Sequence, residues 1–175
     1  MTSSCELLAD AFERVRGSVH RAVDGLTIEQ LTARVGPDAN TIAWLIWHLT
    51  RIQDDHIADV AGRDQVWIAA GFAERFALPF VKEATGFGQT TDEVGAVRAP
   101  AELLVAYSDA VHEQTRSYVV QLRDDDLDRV VDTAWNPPVT LAVRLVSVIS
   151  DDLQHAGQAA FVRGIVLGSS PNPVQ

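Results

Sequence analysis

Apolar residues recur at helical spacing along four long stretches of this chain. From Glu6 to Val23 the stripe is Leu7, Leu8, Ala11, Phe12, Val15, Val19 and Ala22, with Ser3 or Ser4 placed to cap the start and Gly25 just past the end. Thr27 and Gln30 then form a capping box for one short turn. Gly36-Pro37 breaks the chain before the second helix, TIAWLIWHLTRIQDDHIADV at 41–60, which Asn40 or Thr41 caps and Gly62 ends. The third runs from Pro100, a favoured first-turn residue, to Leu122, with Leu103, Leu104, Tyr107, Val111 and Tyr118 on its buried side. After the DDDLDRVVD turn and the Asn136-Pro137-Pro138 break, the fourth covers Val139 to Leu167 and stops at Gly168.

Residues 63–99 break this rhythm. A short helical piece around Gln65–Ala70 is followed by GFAERFALPFVKEATGFGQTTDEV, whose phenylalanines argue against disorder. A segment this long inside a small domain is more often functional than idle. The pattern therefore predicts an all-α four-helix bundle with a long ordered excursion between the second and third helices. The first pair of helices and the last pair are expected to pack together, although the excursion leaves the topology open. The expectation is one domain over 1–175, ordered over about 5–168, with SSPNPVQ as a disordered tail.

Charge narrows the partners. A net charge of −10 and a pI near 4.8 disfavour nucleic acid. No apolar run reaches the roughly 18–20 residues that cross a bilayer. MTSSCELLADAFERV is an acidic amphipathic pattern rather than a secretory leader, so a cytoplasmic location is expected. The single cysteine, Cys5, has no internal disulfide partner. Exposed apolar positions on the first and third helices would allow a homodimer.

Chemistry is to be sought where polar groups interrupt the apolar faces. SVISDDLQHAGQAAFVRG sets Asp151, Asp152 and His155 within an apolar helix, and carboxylates seldom go inside unpaired. Asp151 stands four residues before His155 and Asp152 three, so either aspartate can share the histidine's face. His48 sits on the stripe of Trp44 and Ile52 in the second helix. Packed helices run ~8–10 Å apart, a gap that His48 and an Asp/His pair can close around an ion. Two imidazoles and a carboxylate leave a fourth position open, the pattern of a catalytic divalent site. The plainer alternatives are a hydrogen-bonded core histidine at His48 and an ion pair at His155. His56, beside Asp54 and Asp55, belongs on the outer part of the helix or the rim of the pocket, while His20 and His112 read as ordinary surface or helix histidines.

NTIAWLIWHLTRIQDDH in the second helix, RFALPF with TGFGQTTDEVGAVR in the excursion, and DDLQHAGQAAFVRG in the fourth helix resemble the DinB-like superfamily of four-helix metal proteins. Within it the chain resembles in particular the subgroup of uncharacterised actinobacterial domains related to mycothiol-dependent enzymes. That resemblance spans nearly the whole chain and implies a bundle of the DinB-like type. It places metal ligands at His48 and His155, with Gln158 where the family carries a glutamine. The third ligand falls on Asp151, where many members have histidine and the mycothiol-dependent maleylpyruvate isomerases an acid; Asp152 would then orient an imidazole. Nitrogen and oxygen donors with an open position suit zinc first, with nickel, iron or manganese as alternatives.

The activity implied is a metal-dependent S-transferase that turns a low-molecular-weight thiol, mycothiol by resemblance, on a small electrophile. Trp44, Trp47 and Phe87 would form an apolar mouth, Arg51 or Arg163 would meet a carboxylate, and TGFGQTT would serve as a lid or a packing loop. Two other classes stand beside this one: a metal- or ligand-binding stress or sensor bundle without turnover, and a metal-dependent hydrolase.

Overall fold

The computed structural model describes residues 3–168. Helix α1 (Ser4–Val23) is opened by Ser3, whose hydroxyl accepts from the Glu6 amide while the Glu6 carboxylate accepts from the Ser3 amide. The capping box therefore starts this helix two residues before the stripe alone suggested. A single turn, α2 (Ile28–Leu31), is held by the expected Thr27–Gln30 box. Helix α3 (Ile42–Ala61) is capped by Thr41 and closed by Gly62, whose φ of 62° suits glycine. The excursion folds into α4 (Val66–Ala69), α5 (Phe72–Phe76) and α6 (Thr91–Ala96), so more of it is helical than the sequence indicated. Helix α7 (Ala101–Val119) takes Pro100 as its N-cap, and α8 (Leu141–Gly168) closes the bundle.

Val139 and Thr140 do not belong to the last helix. They form β2 (Val139–Thr140), antiparallel to β1 (Val130–Asp132), in a small hairpin absent from the sequence reading. The intervening Asn136-Pro137-Pro138 supplies the turn, and the Leu141 amide donates to the Arg129 carbonyl to seat the helix start. The SSPNPVQ tail lies outside the described residues.

Pairing within the bundle differs from expectation. Helices α7 and α8 each pack against both α1 and α3, so α1 faces α3, and α7 faces α8, across diagonals. The reason lies in α3, which is buried on most of its circumference and needs cover from two long helices and from the excursion. One layer of core gathers Leu45, Trp47, Trp67, Phe76 and Tyr107; a second gathers Phe12, Ile57, Val119, Leu145 and Val148. Each such side chain contributes about 1.5–3 kcal/mol by leaving water.

A buried polar node fastens the excursion to α3. Asp54 accepts from the amides of Val66 and Trp67 at 2.8 and 2.7 Å and from the Tyr107 hydroxyl at 2.8 Å. Arg51 donates to the Ala84 carbonyl, the Gln65 side chain and the Tyr107 oxygen, and lies 3.5 Å from Asp54 with both side chains 0% exposed. A fully buried guanidinium spent on the protein cannot meet a ligand's carboxylate, which corrects the role anticipated for Arg51.

Large exposed apolar side chains also lie elsewhere than expected. Leu7 on α1 and Val120 at the end of α7 are exposed, but Val143, Val146, Leu153, Phe161, Ile165 and Leu167 concentrate on α8. Among the described residues no helix is long and apolar enough to cross a membrane.

Candidate metal centre

Helices α3 and α8 run in opposite directions, with His48 beside His155 and His56 beside Arg144. Halfway along their seam, His48, Asp151 and His155 each offer a ligand atom, all within 4.8 Å of one another. Asp152 does not join them, although the same helix carries both acids.

His48 is held from behind. Its Nδ1 lies 2.6 Å from the Thr85 carbonyl, an acceptor only, so Nδ1 carries the proton and Nε2 keeps its lone pair. Burial lowers its pKa, partly offset by that hydrogen bond, and the ring is neutral at pH 7. Trp44 stacks on it at 4.5 Å with 15° between planes, while the Trp44 indole N–H donates to Gln89. Gly86 closes the far side: with φ of 99°, a Cβ there would stand 2.7 Å from His48 Nδ1 and 3.1 Å from the Trp47 ring.

His155 repeats the arrangement from the opposite helix. Its Nδ1 donates to Gln158 Oε1 at 3.1 Å, leaving Nε2 to face Asp151 Oδ1 at 3.6 Å. The Asp151 carboxylate raises the pKa of His155 against partial burial. Burial in turn pulls Asp151 upward, but His155, then His48 and His56, outweigh it and hold the acid below its ordinary range. Asp151 Oδ2 is buried without a hydrogen-bond partner. Once His155 gives up its Nε2 proton, two imidazole Nε2 lone pairs and an orphaned carboxylate oxygen form a donor set that suits a divalent cation.

Asp152 points into the core on the stripe of Val148 and Ala156, 0% exposed and with neither oxygen bonded. Burial, with Asp151 nearby, pushes its pKa well above the ordinary carboxylate value. It orients no imidazole, contrary to the role anticipated for it; the Thr85 carbonyl and Gln158 do so instead. Thr85 was missed because a main-chain oxygen leaves no mark in residue identity. The adjacent glycine was the only local signal.

The remaining sequence candidates divide. Trp44 walls the centre, but Trp47 turns away from it, 1% exposed, against Trp67 and Phe80. Phe87 is 92% exposed at the tip between Gly86 and Gly88, in a loop pinned on either side through Thr85 and Gln89. Arg163 donates to the carbonyls of Ala22 and Asp24, tying α8 to the end of α1 rather than to a ligand. His56 accepts from Arg144, itself bonded to Asp132, farther along the same seam. His20 pairs with Asp109 between α1 and α7, whereas His112 is buried, not superficial, and faces Glu13 at 3.0 Å.

Comparison with known proteins adds to this geometry. Residues 7–168 match the family described as Mycothiol-S-transferase. A conserved protein of Enterococcus faecalis, known from a crystal structure, superposes with a TM-score of 0.89 at 30% identity, over 97% of this chain and 100% of the other. No curated protein matches the chain.

Proposed function

Because the chain belongs to the mycothiol-S-transferase family, we propose that it is a metal-dependent S-transferase joining a low-molecular-weight thiol, mycothiol by family, to an electrophilic small molecule. The observation that carries this reading is the convergence of His48, Asp151 and His155 within 4.8 Å. A divalent cation held by these three would keep an exchangeable position, and its charge would favour a thiolate over a thiol there. Zinc suits the donors best, ahead of nickel, iron and manganese.

The chain's own groups do the rest. Thr85 and Gln158 hold the Nδ1 protons of the two imidazoles and aim their Nε2 atoms at the ion, which His155 would meet after losing its Nε2 proton. Asp151 supplies the single negative charge of the set. Neither ring has a free basic nitrogen left for the thiol's proton, which passes to solvent past the partly exposed Asp151 and His155. Trp44 shields one flank from water. The sulfur then bonds to the electrophilic carbon, and a displaced group departs with its electron pair.

The test is to measure metal in the purified protein and then follow mycothiol consumption with monochlorobimane, comparing wild type with His48→Ala and His155→Ala. About one ion per chain and thiol loss in wild type, with both abolished in folded variants, is the expected result. Metal without thiol consumption would favour the binding bundle, and ester or amide cleavage without thiol the hydrolase.

A further inference from the structure

Beside the centre, Asn40, Leu45, Gln158, Phe161 and Val162 line a groove of about 430 Å³, within the range of small-ligand sites. Gln158 belongs to both places: its Oε1 accepts from His155, so the groove begins one hydrogen bond from a proposed ligand. None of the groove's side chains is ionisable. The same holds for the outward side of α8, where every exposed position is Val, Leu, Ile, Phe, Ala, Gly, Ser or Gln.

The cations nearby are committed. Arg51 is buried in its node, Arg144 is spent on His56 and Asp132, and Arg163 on the end of α1. Arg34 donates to the carbonyls of Pro37, Thr91 and Ala39, the last a residue of the groove's lining. None of them lines the groove, so none offers a carboxylate there the paired donors that hold it. Asp55 and Asp59 add negative charge along the seam, on a chain of net charge −10. An anion brought into this groove would lose water and meet no cation among the lining side chains, whereas an apolar or aromatic ring would gain contact with Phe161 and Leu45.

We infer that this groove selects an uncharged, apolar or aromatic electrophile, with the Asn40 and Gln158 amides as its polar contacts, and that it rejects carboxylate-bearing ones. The role of the bound molecule as electrophile rests on the transferase reading; the binding preference does not.

Two measurements separate the claims. In the first, metal-loaded protein and mycothiol react with 1-chloro-2,4-dinitrobenzene or with 4-chloro-3,5-dinitrobenzoate, each rate divided by its uncatalysed rate. In both reactions a sulfur–carbon bond forms, the carbon–chlorine bond breaks, chloride leaves with the electron pair and the thiol proton passes to solvent. The neutral compound should be favoured by about tenfold or more, and Phe161→Arg should narrow that ratio. In the second, without thiol, tryptophan fluorescence is titrated with 2,4-dinitrotoluene or 4-methyl-3,5-dinitrobenzoate. The neutral compound should quench at about tenfold lower concentration, and Phe161→Arg should again close the gap.

Equal quenching by the two compounds, or a preference that Phe161→Arg leaves unmoved, overturns the inference even if thiol is consumed. Thiol consumption absent with both chlorides, while the quenching preference holds, sinks the transferase reading and leaves the groove's selectivity standing.

Discussion

At the scale of the residue, the state of His48 is decided by groups that carry no functional identity of their own. A carbonyl oxygen at Thr85 assigns its proton, and the bare α-carbon of Gly86 leaves the space. Gly86→Ala forces a Cβ to 2.7 Å from His48 Nδ1 at a positive φ, so the imidazole or the loop must yield. The expected cost is about 1–2 kcal/mol of stability from the backbone strain and an approximately 10- to 100-fold loss of metal affinity. Gly88→Ala is the control: its φ is 73° but nothing lies within 4 Å, so it should lose similar stability while keeping affinity. Urea denaturation and competition with a chromogenic chelator read the two quantities separately.

At the scale of the element, polar ties fix how the helices and the excursion meet. Arg51→Ala leaves Asp54 buried without its cation and frees the Ala84 carbonyl, one residue before the oxygen that holds His48. A loss of about 3–5 kcal/mol is expected on denaturation, with weaker metal binding although Arg51 is no ligand. Between α1 and α7, Asp109 accepts from Arg16 and His20 at 2.7 Å. Burial pulls its pKa up, yet the hydrogen bonds and charges of His20 and Arg16 prevail and hold it below 3.8. A depressed acid contributes stability that is present above its unfolded pKa and is lost as pH falls through the folded one. Asp109→Asn should therefore cost less than about 1 kcal/mol at pH 7, this pair being partly exposed, and the difference from wild type should vanish as the solution is acidified below the carboxylate range.

At the scale of the whole molecule, the centre bridges α3 and α8, so occupying it should brace the bundle. An ion at 100 times its dissociation constant stabilises the folded state by about 2.7 kcal/mol, which for a chain of this size corresponds to roughly 5–10 °C in Tm. Differential scanning fluorimetry should record that rise on adding zinc to wild type and its reversal by chelator. His48→Ala should show neither; an equal rise in that variant would place the ion elsewhere.

The sequence by itself determined the four long helices, the excursion between the second and third, and the interruption of apolar faces by His48, Asp151, Asp152 and His155. Those follow from local rules, since periodicity records which side of a helix avoids water. Tertiary structure decided what that periodicity cannot carry. Both Asp151 and Asp152 lie within reach of His155 on the helix, but only packing turned Asp151 toward His48 and Asp152 into the core. Arg51 was expected to meet a ligand's carboxylate because charge suggests an accessible position, but Asp54, Tyr107 and the excursion close around it. The diagonal pairing and the Thr85 carbonyl were equally hidden, because a helix stripe does not name its neighbour and a main-chain oxygen is common to every residue.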